Sequence, residues 1–64
     1  MANKLVNQKT FYPEWHAYNA EGKYVGRIEK DQYGVWYLYN ATGRNLGMQE
    51  TFAEARKEAT YYLK

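Results

Sequence analysis

Trp15-His16-Ala17-Tyr18-Asn19-Ala20-Glu21-Gly22-Lys23-Tyr24-Val25-Gly26 returns 21 positions later as Trp36-Tyr37-Leu38-Tyr39-Asn40-Ala41-Thr42-Gly43-Arg44-Asn45-Leu46-Gly47. The shared frame is W-x-x-Y-N-A-x-G-[KR]-x-[VL]-G, and Glu29 and Glu50 extend it at the same offset. Each copy reads as a β-hairpin. Its flanks are aromatic or β-branched, which suits a pleated, half-buried surface. Asn-Ala-x-Gly between them is turn chemistry. Asn favours the first position of a type I turn, and Gly supplies the positive φ that closes it as a G1 bulge.

Closing Asn19 on Lys23 predicts the pairs Tyr18 with Tyr24, Ala17 with Val25, His16 with Gly26 and Trp15 with Arg27. The second copy then pairs Tyr39 with Asn45, Leu38 with Leu46, Tyr37 with Gly47 and Trp36 with Met48. Because the strand period is two, this register also assigns faces. Trp15, Ala17, Val25, Trp36, Leu38, Leu46 and Met48 form an apolar face, the expected core side. His16, Tyr18, Tyr24, Tyr37, Tyr39 and Asn45 form a polar-aromatic face, expected to stay partly wet. Arg27 is a misfit on the core side. It either packs its stem at the rim, or the register slips near Gly26. Gly26 and Gly47 stand opposite large rings that can lie over them.

Outward from the repeat, Asp31-Gln32-Tyr33-Gly34 is a further turn, and the short link favours a four-stranded antiparallel meander in order 1-2-3-4. Residues 1–10 read as a loose polar lead, with room for a short extended piece, and 11–64 as one small ββββα domain, with Pro13 suited to the start of an edge strand. The first and last strands of such a sheet keep unpaired edges. The period changes after Glu50. Thr51-Phe52-Ala53-Glu54 is a capping box, and Phe52, Ala55, Ala59 and Tyr62 or Leu63 recur at helical spacing. The expected fold is therefore α+β, with one C-terminal helix over the Trp15/Trp36 face. A period of 21 residues also suits a solenoid, but stacked repeats need at least three copies.

A chain of 64 residues has one thin core, burying only about 60% of the surface its unfolded form exposes. Without cysteine it has no disulfide or thiolate metal site to brace it. Eight Tyr, two Trp and two Phe must supply the core instead. The net charge of +2 is spread without runs, so no polycationic nucleic-acid footprint is visible. No apolar run approaches the ~20 residues that span a bilayer, and no signal peptide is visible, so a cytoplasmic location is expected. Asn40-Ala41-Thr42 spells a glycosylation sequon, read as a chance match to a short degenerate pattern.

The chemistry the chain lacks narrows its function. There is no Ser and no Cys, so the usual nucleophiles are missing. One His and unclustered carboxylates predict no metal and no cofactor. No phosphate-binding or dinucleotide glycine motif is present. His16 could act as a general base, and Glu14 with Glu29 could pair as strand neighbours. A histidine packed beside tyrosines and solvated strand-end charges explain the same residues. A small sheet with one helix has little concavity for a substrate. The expectation is a non-enzymatic binding module.

The open face is the predicted binding surface: His16, Tyr18, Tyr24, Tyr37, Tyr39 and Asn45, with Lys23 and Arg44 at the turns. Tyrosine offers a large contact area and a hydroxyl at low entropic cost, and is enriched at protein interfaces. A protein partner is expected, and a homodimer through this face or an edge strand is the variant that would already occupy it. The alternative is nucleic acid stacked on the rings, with Lys23, Arg27, Lys30 and Arg44 on phosphates. Gly34-x-Trp36, Gly43-Arg44-x-Leu46-Gly47 and Thr51-x-x-Glu54-Ala55 resemble the sheet-plus-helix DNA-binding domains of the plant AP2 class and of integrase arm-binding domains. That resemblance implies DNA binding by the sheet. It departs at the face itself, where those domains present Arg and Trp and this chain presents Tyr. In size and style the chain also resembles small accessory proteins of phages and mobile elements, which implies an inhibitor or modulator capping a larger enzyme.

Overall fold

The computed structural model describes residues 3–63. Five strands, β1 (Lys4–Asn7), β2 (Glu14–Tyr18), β3 (Tyr24–Lys30), β4 (Trp36–Asn40) and β5 (Asn45–Gln49), precede one helix, α1 (Phe52–Tyr62). They form a single antiparallel sheet in the order β1-β2-β3-β4-β5. The α+β meander with a C-terminal helix is thus as expected, but it has five strands rather than four.

The additional strand comes from the segment expected to be a loose lead. Lys4 to Asn7 pairs with β2 in the register Lys4–Tyr18, Leu5–Ala17, Val6–His16 and Asn7–Trp15. Its four residues hold a single inward apolar side chain, Leu5, too little alternation to announce a strand. Partnership with β2 creates it. Asn3 reinforces the attachment by donating its amide to the Leu63 carbonyl at the end of α1. The edge of the first hairpin is therefore covered, and the sheet's free edges are β1 and β5. The first two residues of the lead and Lys64 lie outside the described residues.

All three hairpins from β2 to β5 use one turn. Asn19 donates its N–H to the Lys23 carbonyl at 2.9 Å and accepts from Gly22 N–H at 2.9 Å. Its side-chain oxygen also takes the N–H groups of Glu21 and Lys23, and Gly22 sits at φ 83°. Asn40 repeats these contacts with Thr42, Gly43 and Arg44. Asp31 does so with Tyr33, Gly34 and Val35. The internal repeat is thus extended at its joint by the same Asx-led turn.

The register departs from the simple expectation at one equivalent point in each copy. Tyr18 pairs with Tyr24, but Ala17 pairs with Gly26, His16 with Arg27 and Trp15 with Ile28. Tyr39 pairs with Asn45, but Leu38 pairs with Gly47, Tyr37 with Met48 and Trp36 with Gln49. Val25 and Leu46 are the extra residues of β-bulges. The slip resolves the Arg27 misfit, since it moves Arg27 to the open face and sets Ile28 against the helix. It also corrects Met48, which joins the open face and is 68% exposed.

Ala17, Val25, Ile28, Trp36, Leu38, Ala55, Ala59 and Leu63 form the core, with Leu5, Trp15, Leu46 and Phe52 packed on it. Burying Ile28 and Leu38 completely contributes about 1.5–3 kcal/mol each. Thr51 caps α1, its hydroxyl accepting from Glu54 N–H at 3.2 Å. The helix rests on β3, β4 and β5. The residue that ends its apolar stripe is Leu63, 1% exposed, whereas Tyr62 is 57% exposed. Leu63, rather than a ring, is what lies over Gly26.

Candidate functional site

With α1 on one side, the other side of the sheet carries no element among the described residues. The pairing register orders its side chains into three rows that cross the strands. The first row is Glu14, Glu29, Tyr37 and Met48. The second is Val6, His16, Arg27, Tyr39 and Asn45. The third is Lys4, Tyr18 and Tyr24.

Hydrogen bonds and ring contacts link the rows. His16 Nε2 lies 2.6 Å from Glu14 Oε2, and Arg27 Nε donates to Glu29 Oε1 at 2.7 Å. The Arg27 guanidinium also sits 4.3 Å above the Tyr39 ring, a cation–π contact. Its hydrogen bond to Glu29 is the main reason its pKa rises further, and the Tyr24 hydroxyl adds to it. The His16 ring packs on Tyr24 at 5.3 Å, and Tyr24 on Tyr18 at 6.0 Å. His16, Glu14 and Arg27 side chains are only 26–27% exposed although no element among the described residues covers the sheet here. The side chains shield one another from solvent.

At the margin of this face Tyr37 donates its hydroxyl to Asp31, which raises the Tyr37 pKa. The Asp31 carboxylate is held below the usual range, first by the Val35 N–H, and, against an opposing desolvation, also by the Tyr33 N–H and the Tyr37 hydroxyl. A carboxylate with a depressed folded pKa stabilises the fold above its unfolded pKa, about 3.9, and loses that contribution as pH falls through the folded value. Asp31→Asn keeps the turn acceptor, as Asn19 and Asn40 demonstrate in the same turn. It is expected to lower stability slightly at neutral pH and to flatten the fall in urea midpoint below about pH 4. An acid limb unchanged from wild type would refute this assignment.

The structure brings together six of the expected site residues, His16, Tyr18, Tyr24, Tyr37, Tyr39 and, at the β5 end of the middle row, Asn45. The Asn45 side-chain oxygen accepts from Gly47 N–H at 2.7 Å, so it is used within its own bulge. Lys23 and Arg44 are exposed in the turns, at the end of the sheet that carries the Lys4 row. Lys30 is not on this face: it pairs with Trp36 on the helix side, its ammonium 5.5 Å from the indole. Sequence reasoning missed Glu14, Arg27, Glu29 and Met48 as members of the face. The signal was Arg27 itself, a charge that fits neither copy of the core pattern. Lys4 and Val6 were missed because β1 was. Phe11, 91% exposed, and Tyr33, 80% exposed, project from the loop before β2 and the turn after β3.

Grooves exist elsewhere but are shallow. One of about 330 Å³ lies between β1 and α1, lined by Leu5, Trp15, Phe52 and Arg56 among others. Among the described residues no group of three or more His, Cys, Asp or Glu is placed to hold a metal ion, and no helix is long and apolar enough to cross a membrane. Comparison of the chain with protein-family models, with curated proteins and with solved structures returns no match.

Proposed function

We propose that this protein is a non-enzymatic binding module that engages a protein partner through the open sheet face. The observation that supports this reading most is a set of four tyrosines, His16 and Arg27, linked by ring and charge contacts, on a side of the sheet that no element among the described residues covers. A solvent-facing sheet normally alternates toward freely solvated polar side chains. Here His16, Tyr24 and Tyr18 pack ring on ring and Arg27 lies over the Tyr39 ring, and tyrosine and arginine are enriched at interface centres. Tyr18, Tyr24, Tyr37 and Tyr39 supply area and hydrogen bonding, and Arg27 supplies a fixed charge.

The charges favour protein over nucleic acid. Arg27 is already bound to Glu29, and Glu14 and Glu29 stand side by side on the face. A phosphate backbone would meet Glu14, Glu29 and a committed Arg27 over two of the three rows, with Lys4 as the further cation in the third, whereas nucleic-acid affinity rests on many unpaired Lys and Arg. Tyr37→Ala with Tyr39→Ala, which leaves the helix side untouched, should keep the fold by circular dichroism. It should abolish capture of a stoichiometric protein, weakening binding by at least tenfold, the loss of roughly one hot spot. Retained capture, or steeply salt-dependent binding to mixed DNA or RNA with no protein captured, would overturn the reading.

A further inference from the structure

Resting on that reading of the face, we infer that its partner is a second copy of this chain, bound face to face about a twofold axis that runs across the strands. The three rows carry the argument. The first row is acidic, with Glu14 and Glu29 in directly paired positions on β2 and β3. The third row, at the other end of the face beyond the middle row, holds Lys4 with the hydroxyls of Tyr18 and Tyr24, and Lys23 lies in the turn just beyond it. One end of the face therefore accepts hydrogen bonds and the other donates them. Such a surface is self-complementary under an operation that exchanges its ends, which is what an isologous contact requires.

A twofold axis along the middle row performs that exchange. It keeps each strand over its own copy and reverses its direction. Glu14 then lies over Tyr18 of the second copy and Glu29 over its Tyr24, with Lys4 and Lys23 flanking. Phenol and ammonium donors meet carboxylates at both ends of the interface. On the axis, Arg27 meets its own copy. Its charge is already neutralised by Glu29 and spread over the Tyr39 ring, so the repulsion there is small. Val6, 37% exposed in the same row, adds apolar area. The opposite choice, an axis parallel to the strands, would lay the acidic row on itself, with Glu14 over Glu29 of the second copy when the axis runs between β2 and β3 or Glu29 on its own copy when it follows β3, and is disfavoured by like charge.

Size sets the strength. Five strands about 4.8 Å apart and about five residues long give a face of roughly 20 by 17 Å. Two such faces make a footprint of roughly 700 Å², below the ~1,200 Å² at which stable interfaces begin and in the range of weak, transient contacts. The dimer is therefore a reversible one.

The test is charge reversal read by sedimentation equilibrium, from about 10 μM to about 1 mM, the range of weak association. The wild-type chain should pass from 7.6 kDa toward twice that mass across this range. Glu14→Lys with Glu29→Lys should remain monomeric, as should Lys4→Glu with Lys23→Glu, each weakening association by at least tenfold. Both should be checked for native circular dichroism. An equimolar mixture of the two variants should recover the dimer, because each then presents the charge the other lacks. This recovery would not follow from a mere loss of folding. A wild-type chain monomeric throughout, or variants that associate as the wild type does, would overturn the inference. If the wild type is monomeric while the Tyr37/Tyr39 variant still loses a captured protein, the face binds a different protein. The dimer then falls and the proposed function stands.

Discussion

Gly26→Ala is expected to be the most destabilising single-methyl change in this protein. Gly26 lies in β3 between β2 and β4, directly beneath the end of α1. A Cβ there would sit 2.3 Å from the Tyr39 carbonyl oxygen and 2.8 Å from both Leu63 methyls. The methyls can turn aside, but the carbonyl is backbone of the central strand β4. The residue also holds φ 153°, a conformation that side-chain-bearing residues rarely adopt. Overpacking typically costs about 1–3 kcal/mol and such backbone strain about 1–3 kcal/mol. Together they approach the whole stability of a domain this size, about 3–10 kcal/mol. Urea unfolding followed by tryptophan emission should show the midpoint collapse, and the native baseline is expected to shorten or vanish.

Its repeat counterpart provides the control. Gly47 holds φ 141° but would meet only the flexible Gln49 amide, at 3.6 Å. Gly47→Ala should therefore cost about 1 kcal/mol, from backbone strain alone. Two glycines in one repeated frame, one fatal to replace and one tolerant, would show that the close approach of β4 and Leu63 decides the outcome. Equal costs at the two sites would refute it.

Phe52→Ala is expected to have the next largest effect. Phe52 opens α1, and its ring lies 5.2 Å from Trp15 and 5.0 Å from Trp36. It is the contact through which one helical side chain holds the tryptophans of both repeat copies. Phe→Ala in a core costs about 3–5 kcal/mol, and its partial exposure places this site near the lower figure. The variant should also shift tryptophan emission to the red before unfolding, because both indoles gain water. Phe52→Leu, which keeps apolar volume, should restore most of the stability but not the ring geometry. Emission and stability both unchanged in Phe52→Ala would show that the helix does not depend on this contact.

These two sites also mark where the sequence was legible. The turns were, because Asn19, Asn40 and Asp31 each act within five residues and their partners are backbone groups of the same turn. So was the start of α1, where Thr51 reaches only to Glu54. The tyrosine face was legible from period two, and the aromatic residues expected there are all on it. Its charges were not. In sequence Met48 reads as core, and Arg27 as either a rim residue or the mark of a slip near Gly26, the second being what formed, because the extra residues Val25 and Leu46 look like ordinary inward strand positions.

The strand β1 was hidden for a different reason. Lys4 to Asn7 has no strong local preference, and it becomes a strand because β2 has a free edge and Leu5 can reach the core. Local chemistry therefore settled the hairpins, their turns and the capped helix. Contacts between distant residues decided the rest: the bulges, the fifth strand and the arrangement of charge on the open face. A bulge shifts every later side chain of its strand to the opposite face. Whether it forms depends on what the neighbouring strands and Leu63 leave room for, and that information lies 13 to 37 residues away from Gly26, at Tyr39 and Leu63.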